Sequence, residues 1–281
     1  VGIVYLNGEF LPQAEARVPV LDRGFVFGDG VYEVIPAYSG KLFRLPHHLA
    51  RLHNSLDAVR IANPLTDEQW QDLLQQLLAR NQLTADTSIY LQVTRGVAAR
   101  DHAFPEDATP TVFAMASPIK LPPAQQYEQG VSVITLEDIR WQRCDIKAIT
   151  LLANVLLKQQ ALDAGATEAI LVRDGEVTEG TASNVFAVQN GLLLTPPSGP
   201  RLLPGITRDL VLELAQANGI PCAEARLVPA DLAQADEIWL TSSTREIVPV
   251  TQLDSRPVGM DKPGPLYQQI RRIYADFKKR L

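Results

Sequence analysis

The chain has seven lysines in 281 residues, and one of them stands apart. Most of Lys41, Lys120, Lys158, Lys262, Lys278 and Lys279 fall in hydrophilic turns or near the C-terminus. Lys147 instead follows Cys144-Asp145-Ile146 and precedes Ala148-Ile149-Thr150-Leu151-Leu152, where a strand-like stretch gives way to a helical one. A half-buried amine there can shed its proton and attack a carbonyl; the ordinary alternative is a structural lysine. Glu179 stands among small residues, Gly180-Thr181-Ala182-Ser183, which let a flat ligand approach the backbone. By itself it also reads as a solvated loop carboxylate. Gly205-Ile206-Thr207-Arg208 opens a helix, whose free N–H groups and positive dipole end suit a phosphate as well as an ordinary cap. Thr241-Ser242-Ser243-Thr244 lines up four hydroxyls that would complete a phosphate cup or simply form a polar turn. In Arg100-Asp101-His102 the outer residues face one way if the segment is extended, so two donors converge on a point that suits a carboxylate. The alternative is a solvated loop.

Composition narrows the chemistry. Lys plus Arg is 26 against 32 for Asp plus Glu, a net charge of −6 that gives no electrostatic reason to bind nucleic acid. With 46% hydrophobic and 21% charged residues the chain can bury a core, and general disorder is excluded. The length fits about two domains. GxxxxGK[ST], GxGxxG and GxSxG are absent, which weakens the NTPase, dehydrogenase and α/β-hydrolase readings, and the absence of HExxH argues against a His-rich metal site. Two cysteines, Cys144 and Cys222, and four histidines build neither a disulfide framework nor a metal cluster, so no metal is expected. Charges through the first thirty residues are incompatible with a signal-peptide core, and no apolar run reaches the ~20 residues of a span. The expected compartment is the cytoplasm.

The elements that must position these residues follow from period and punctuation. Residues 2–6 with Asn7-Gly8 read as a hairpin, and Asp174-Gly175 and Asn190-Gly191 repeat the signal. Residues 31–38 read as a strand, as do about 87–95, 109–117, 131–134 and 237–241. Leu45, Leu49, Leu52, Leu56 and Val59 step by three and four, which is helical. Thr66 and Gln69 form a capping box that opens a second helix. Residues 150–164 and 206–218 (ending before Gly219) read as helices, and Leu266, Ile270, Ile273 and Phe277 mark a last one. Three prolines in 118–123 predict a linker between domains 1–117 and 124–281. Helices and strands mix without strict alternation, favouring two α/β or α+β lobes over a Rossmann fold or TIM barrel.

Five blocks in order resemble the fold-type IV (class IV) pyridoxal-phosphate aminotransferases, and most nearly the D-amino-acid branch. They are Asp22-Arg23-Gly24-Phe25 through Tyr32-Glu33; Leu91-Gln92-Val93-Thr94-Arg95-Gly96 with Arg100 and His102; Asp138-Ile139-Arg140-Trp141 through Lys147; Val177-Thr178-Glu179-Gly180 with Ser183-Asn184; and Gly205-Ile206-Thr207-Arg208. The resemblance implies a two-domain α/β (α+β) enzyme with a smaller N-terminal lobe, a larger C-terminal lobe carrying a β-barrel-like sheet, and pyridoxal 5'-phosphate in the cleft between them. Lys147 then matches the catalytic lysine that holds the cofactor covalently and carries a proton. Glu179 matches the carboxylate on the pyridine nitrogen, where it keeps the ring an electron sink. Arg51, Ile206, Thr207, Ser242 and Ser243 match the phosphate ligands, the last two within one position. Tyr32, Arg100 and His102 match the substrate-carboxylate trap, to which a neighbouring subunit of a homodimer contributes the Arg and His. The implied reaction is ping-pong transfer of an amino group from a D-amino acid such as D-alanine or D-glutamate to 2-oxoglutarate or pyruvate. A branched-chain L-amino-acid or amine transaminase, an aminodeoxychorismate lyase and a non-enzymatic binding protein are the alternatives. Two features depart from the relatives: Ala182 lacks a hydroxyl, and Arg245 adds a charge that reads as solvated.

Overall fold

The computed structural model describes residues 2–281. Its chain divides into two compact units: one runs up to Lys120 and takes in Ile146–Leu151, and the other comprises Leu121–Asp145 and Leu152–Arg280. The division between Lys120 and Leu121 falls inside the proline-rich 118–123 stretch. The return of 146–151 to the first unit carries no signal in the sequence.

The first unit is built on β1 (Ile3–Leu6), β2 (Glu9–Pro12), α1 (Arg23–Phe27), β3 (Gly30–Tyr38), β4 (Lys41–Leu42), α2 (Leu45–Ala58), α3 (Asp67–Arg80), β5 (Thr87–Thr94) and β6 (Thr111–Pro118). Its sheet runs β2-β1-β6-β5-β3-β4 with every pairing antiparallel. The Asn7-Gly8 turn has positive φ at both residues (49° and 99°), as a type I′ hairpin requires. Leu45, Leu49, Leu52 and Leu56 of α2 and Trp70, Leu73, Leu74, Leu77 and Leu78 of α3 bury their apolar stripes against Val31, Ile35, Ile89, Leu91 and Val93 of the sheet. The Thr66–Gln69 capping box closes the start of α3 as read from the sequence.

The second unit contains α4 (Ala124–Gln129), β7 (Val131–Glu137), α5 (Leu152–Asp163), β8 (Glu168–Arg173), β9 (Glu176–Gly180), β10 (Asn184–Gln189), β11 (Leu192–Thr195), α6 (Ile206–Ala217), β12 (Cys222–Glu224), α7 (Pro229–Ala233), β13 (Glu237–Ser242), β14 (Glu246–Leu253), β15 (Arg256–Pro257) and α8 (Pro265–Lys278). Eight strands run β12-β11-β10-β13-β14-β7-β8-β9, with β15 beside β14. The sheet is mixed and curls into a half-barrel; at residues 181–183 the chain turns from β9 into β10, where the Gly180 N–H donates to the Ser183 carbonyl at 2.7 Å. Val131, Val133, Ile170, Val185, Ile238, Leu240 and Val248 line its core. Pro249 lies inside β14, a strand paired on both sides, although proline ordinarily argues against a central strand. On α8 the fully buried residues are Tyr267, Ile270 and Tyr274, and the expected Leu266, Ile273 and Phe277 are half-buried at the flank. Among the described residues no helix is long and apolar enough to cross a membrane.

Candidate active site

In the first unit, Lys147 lies on a short segment laid against the end of β3. The Tyr32 N–H donates to the Lys147 carbonyl (2.9 Å), the Ile149 N–H donates to the Gly30 carbonyl (3.1 Å), and Val31 bridges Ala148. Extended chain alternates its side chains. Ile146 and Ala148 therefore enter the core while Lys147 projects from the opposite face, half-buried. The same alternation on β3 buries Val31 and Ile35 and leaves Tyr32 on the other face. There the Lys147 Nζ sits 4.3 Å from the centroid of the Tyr32 ring. The Lys147 N–H donates to Ser55 Oγ on α2 (3.2 Å), which ties the backbone of the lysine to the helix that carries Arg51.

Arg51 is only 6% exposed and lies against a buried carboxylate. Its Nε donates to Glu33 Oε1 (2.7 Å) and its Nη2 to Glu33 Oε2 (2.8 Å); His48 Nδ1 is 2.8 Å from the same Oε2. Burial pushes the Glu33 carboxyl upward, but Arg51 and His48 overcome this and hold it well below the usual carboxylate range. Burial also pulls the His48 imidazole below its ordinary value despite the Glu33 contact, with the charges of Arg51 and Lys147 acting in the same direction as burial. A planar guanidinium gripped on two nitrogens keeps a fixed direction, which is what a phosphate ligand needs. Glu33, which holds Arg51, and His48 beside it have no role in the sequence analysis. The available signal was a carboxylate in phase with Val31 and Ile35 on the buried face of a strand.

Arg100 and His102 lie in an exposed segment after β5, and the structure brings them together on one platform. The Phe27 ring, at the end of α1, is 5.4 Å from the His102 ring and 5.3 Å from the Arg100 guanidinium carbon. Tyr32 packs against Tyr90, with ring centroids 5.6 Å apart.

The second unit holds the rest of the predicted set. Glu179, at the end of β9, is 5% exposed. Its Oε1 accepts from Arg140 Nη1 (2.5 Å) and the Leu203 N–H (3.1 Å), and its Oε2 from Asn184 Nδ2 (3.2 Å). Arg140 is itself gripped by Asp138 through Nε and Nη2, both at 2.8 Å. Burial opposes its charge, yet Asp138 and Glu179 raise its pKa above the ordinary arginine value. Arg140 and Asp138, both in the motif that runs to Lys147, hold the direction of Glu179. Ile206 and Thr207 form the first turn of α6, whose N-cap Gly205 makes no side-chain cap bond. A side chain at 205 would collide with Asn184 Oδ1, so only glycine lets the chain pass there. In the hydroxyl run, Thr241 is buried, whereas Ser242 and Ser243 are half-exposed.

Arg245 departs from the sequence reading. It is not solvated: its Nη2 pairs with Glu168 Oε2, and Glu168 is wholly buried at the start of β8. Glu168 Oε1 also accepts from the Ser183 Oγ (2.6 Å) and from the Ala182 N–H (3.1 Å). The missing hydroxyl at Ala182 thus leaves its backbone tethered.

The half-barrel sheet of the second unit bears Glu179, and its solved structural neighbours are fold-type IV amino-transferases, whose family is that of the class IV amino-transferases. That family matches residues 30–253, and the chain belongs to it. D-alanine aminotransferase of Bacillus licheniformis is 44% identical over 268 residues, covering 95% of this chain and 94% of that protein. D-alanine aminotransferase of Staphylococcus haemolyticus is 41% identical over 269 residues, 95% of each chain. Among solved structures, the branched-chain amino acid aminotransferase of Escherichia coli superposes with a TM-score of 0.92 at 28% identity, covering 98% of this chain and 94% of the other. A hypothetical aminotransferase from Mycobacterium tuberculosis in its PLP-bound form gives 0.83 at 28% identity, covering 98% of both chains. The cofactor of the family is pyridoxal 5'-phosphate. The second unit fits that group: the hydroxyls of Thr181 and Thr241 are buried with no hydrogen-bond partner, the α6 N-terminus opens at a glycine, and Glu179 is held in a fixed direction.

Proposed function

We propose that this chain is a pyridoxal-phosphate-dependent D-amino-acid transaminase. It moves the amino group of a donor such as D-alanine or D-glutamate to a 2-oxo acid such as 2-oxoglutarate or pyruvate. When bound, the cofactor supplies an electrophilic carbon for amines and a ring that takes up the electron pair left by the departing proton. Lys147 would hold it through Nζ, and the same amine would take the substrate Cα proton and return it. Glu179, held in one direction by Arg140 and Asn184, would pair with the pyridine nitrogen and keep a proton there. Arg51, the N–H groups of Ile206 and Thr207, and the hydroxyls of the 241–243 run, Ser242 and Ser243 among them, take the phosphate. Tyr32, Arg100 and His102 take the substrate carboxylate.

The observation that carries the reading is the placement of Lys147: its neighbours are committed to the core and its amine is turned away from it, beside Tyr32. The D preference draws on the relatives' identity and on Arg100 and His102 sharing the Phe27 platform. A branched-chain L-amino-acid transaminase is the second reading, favoured by the fold likeness to the Escherichia coli enzyme at the lower identity of 28%. Incubation with D-alanine and 2-oxoglutarate decides between them. Pyruvate formation is expected; steady turnover of L-leucine or L-valine with none from D-alanine would reverse the assignment.

A homodimer in the cytoplasm completes the proposal. On α5 only Leu157 and Ala161 are buried, while Leu152, Val155, Leu156 and Leu162 are exposed together with nearby-in-sequence Ile139 and Trp141. Apolar surface of this kind suits a subunit contact. Cys144 and Cys222 are both free thiols, which suits a reducing compartment.

A further inference from the structure

The segment bearing Arg100 and His102 is exposed, yet its backbone is gripped from below. Arg23, in the first turn of α1 and 4% exposed, donates from Nη1 to the carbonyls of Asp101 (2.6 Å) and Ala103 (3.3 Å), the two residues flanking His102. Its Nε donates to Asp29 Oδ2 at 2.8 Å. Asp29 is shared: Arg95 Nε donates to the same oxygen (2.8 Å) and Arg95 Nη2 to the other (3.0 Å). Arg95 is anchored in turn on the carbonyls of Val59 (2.7 Å) and Arg60 (3.0 Å), and its guanidinium lies 3.8 Å from the centroid of Phe104, the residue where the segment ends. The start of α1 is fixed as well, since the Asp22 carboxylate accepts from Gly24 N, Thr94 Oγ1 and Thr111 Oγ1.

One carboxylate thus aligns two guanidiniums, which hold the segment at 95, at 101–103 and at 104. Above this lattice, Phe27 carries both Arg100 and His102, and the Arg23 guanidinium itself lies 4.8 Å from the Phe27 ring. We propose that Arg23, aligned by Asp29, is a positioning residue for recognition of the substrate α-carboxylate: it fixes the backbone on both sides of His102 so that Arg100 and His102 are presented as one unit. The inference rests on reading Arg100 and His102 as carboxylate ligands. Burial tends to neutralise Asp29, but Arg95 and Arg23 hold it below the ordinary aspartate value, so the hub stays charged in the working range.

The test uses the holoenzyme and the R23K, R100A, R100A/H102A and R23K/R100A/H102A variants. Lysine keeps the charge near Asp29, but a single ammonium does not reproduce the fork that grips Asp29 and two carbonyls together. R23K is expected to raise KM for D-alanine and for 2-oxoglutarate by ~10-fold, since small misplacements of positioning groups are costly. Cofactor affinity, read by fluorescence titration with pyridoxal 5'-phosphate, should stay within about twofold, the scatter tolerated for independent sites. In the R100A/H102A background, from which both ligands are gone, R23K should add less than about twofold to KM. An equal rise in both backgrounds would make Arg23 merely structural and overturn the proposal. If R100A raises KM and R23K does not, the proposal fails while the carboxylate reading stands; if R100A leaves KM unchanged, both fall. Should R23K not fold, D29N, which removes the aligning charge, must give the same KM signature and the same non-additivity.

Discussion

Replacing Arg245 with methionine removes one half of an ion pair whose other half cannot reach water. Glu168 is 0% exposed and the Arg245 side chain 22%. Breaking a buried pair from one side costs ~3–5 kcal/mol, because a charge is left behind unpaired. The Ser183 hydroxyl and Ala182 N–H remain on Glu168 Oε1, which sets the expectation at the lower end, ~3 kcal/mol. For a chain of this size that is a Tm loss of roughly 6–12 °C. The loss should also depend on pH. Burial alone would raise the Glu168 pKa, and Arg245 with Ser183 and Ala182 reverses this, so the folded value is depressed. In the parent protein the contribution of Glu168 is present above its unfolded pKa and fades as pH falls through the folded one. Without Arg245 the largest lowering cause is gone, and the folded value rises from its depressed position. Protonation then relieves the variant, and its deficit narrows as pH falls from about 8 to about 5. Lys158 and Arg245 are the cations facing Glu168, and the amine of Lys158 stays engaged with the Thr167 carbonyl. Thermal melts of R245M across that range decide the matter. A loss below about 1 °C, or one independent of pH, would refute the reasoning. The double variant E168Q/R245M, with neither charge buried, should recover part of the loss.

Three further outcomes are expected. Lys147→Ala should abolish amino transfer, and borohydride treatment should no longer fix the cofactor's mass to the protein; full activity would remove Lys147 from the mechanism. Glu33→Gln leaves the Arg51 guanidinium buried without its counter-ion, so the apo form should lose ~3–5 kcal/mol in denaturant melts. Affinity for pyridoxal 5'-phosphate should fall at the same time, and an unchanged dialysis constant would show that Glu33 does not orient Arg51. Thr66→Ala opens the α3 capping box and should cost ~1 kcal/mol with no change in turnover.

Local signals in the sequence were sufficient for most elements and for the chemistry. Asn7-Gly8 and Asn190-Gly191 carry their turns within two residues because the backbone there must take positive φ, and both do. The leucine spacing of α2 and the capping box of α3 are equally local. The blocks around Lys147, Glu179 and Gly205 were enough to place the chain in its family. Tertiary structure decided what connects over distance. Arg245 meets a carboxylate 77 residues away, Arg23 a carbonyl 78 residues away, and Arg51 a glutamate 18 residues away on another element. Nothing near these arginines in sequence distinguishes a paired guanidinium from a solvated one. The apolar residues of α5 face outward, although their spacing reads like any core helix, because only Leu157 and Ala161 lie toward the sheet. A period fixes which residues share a face and a turn residue fixes φ. Which face is covered, and which buried charge finds its partner, depends on strand order and register, set by the whole chain at once.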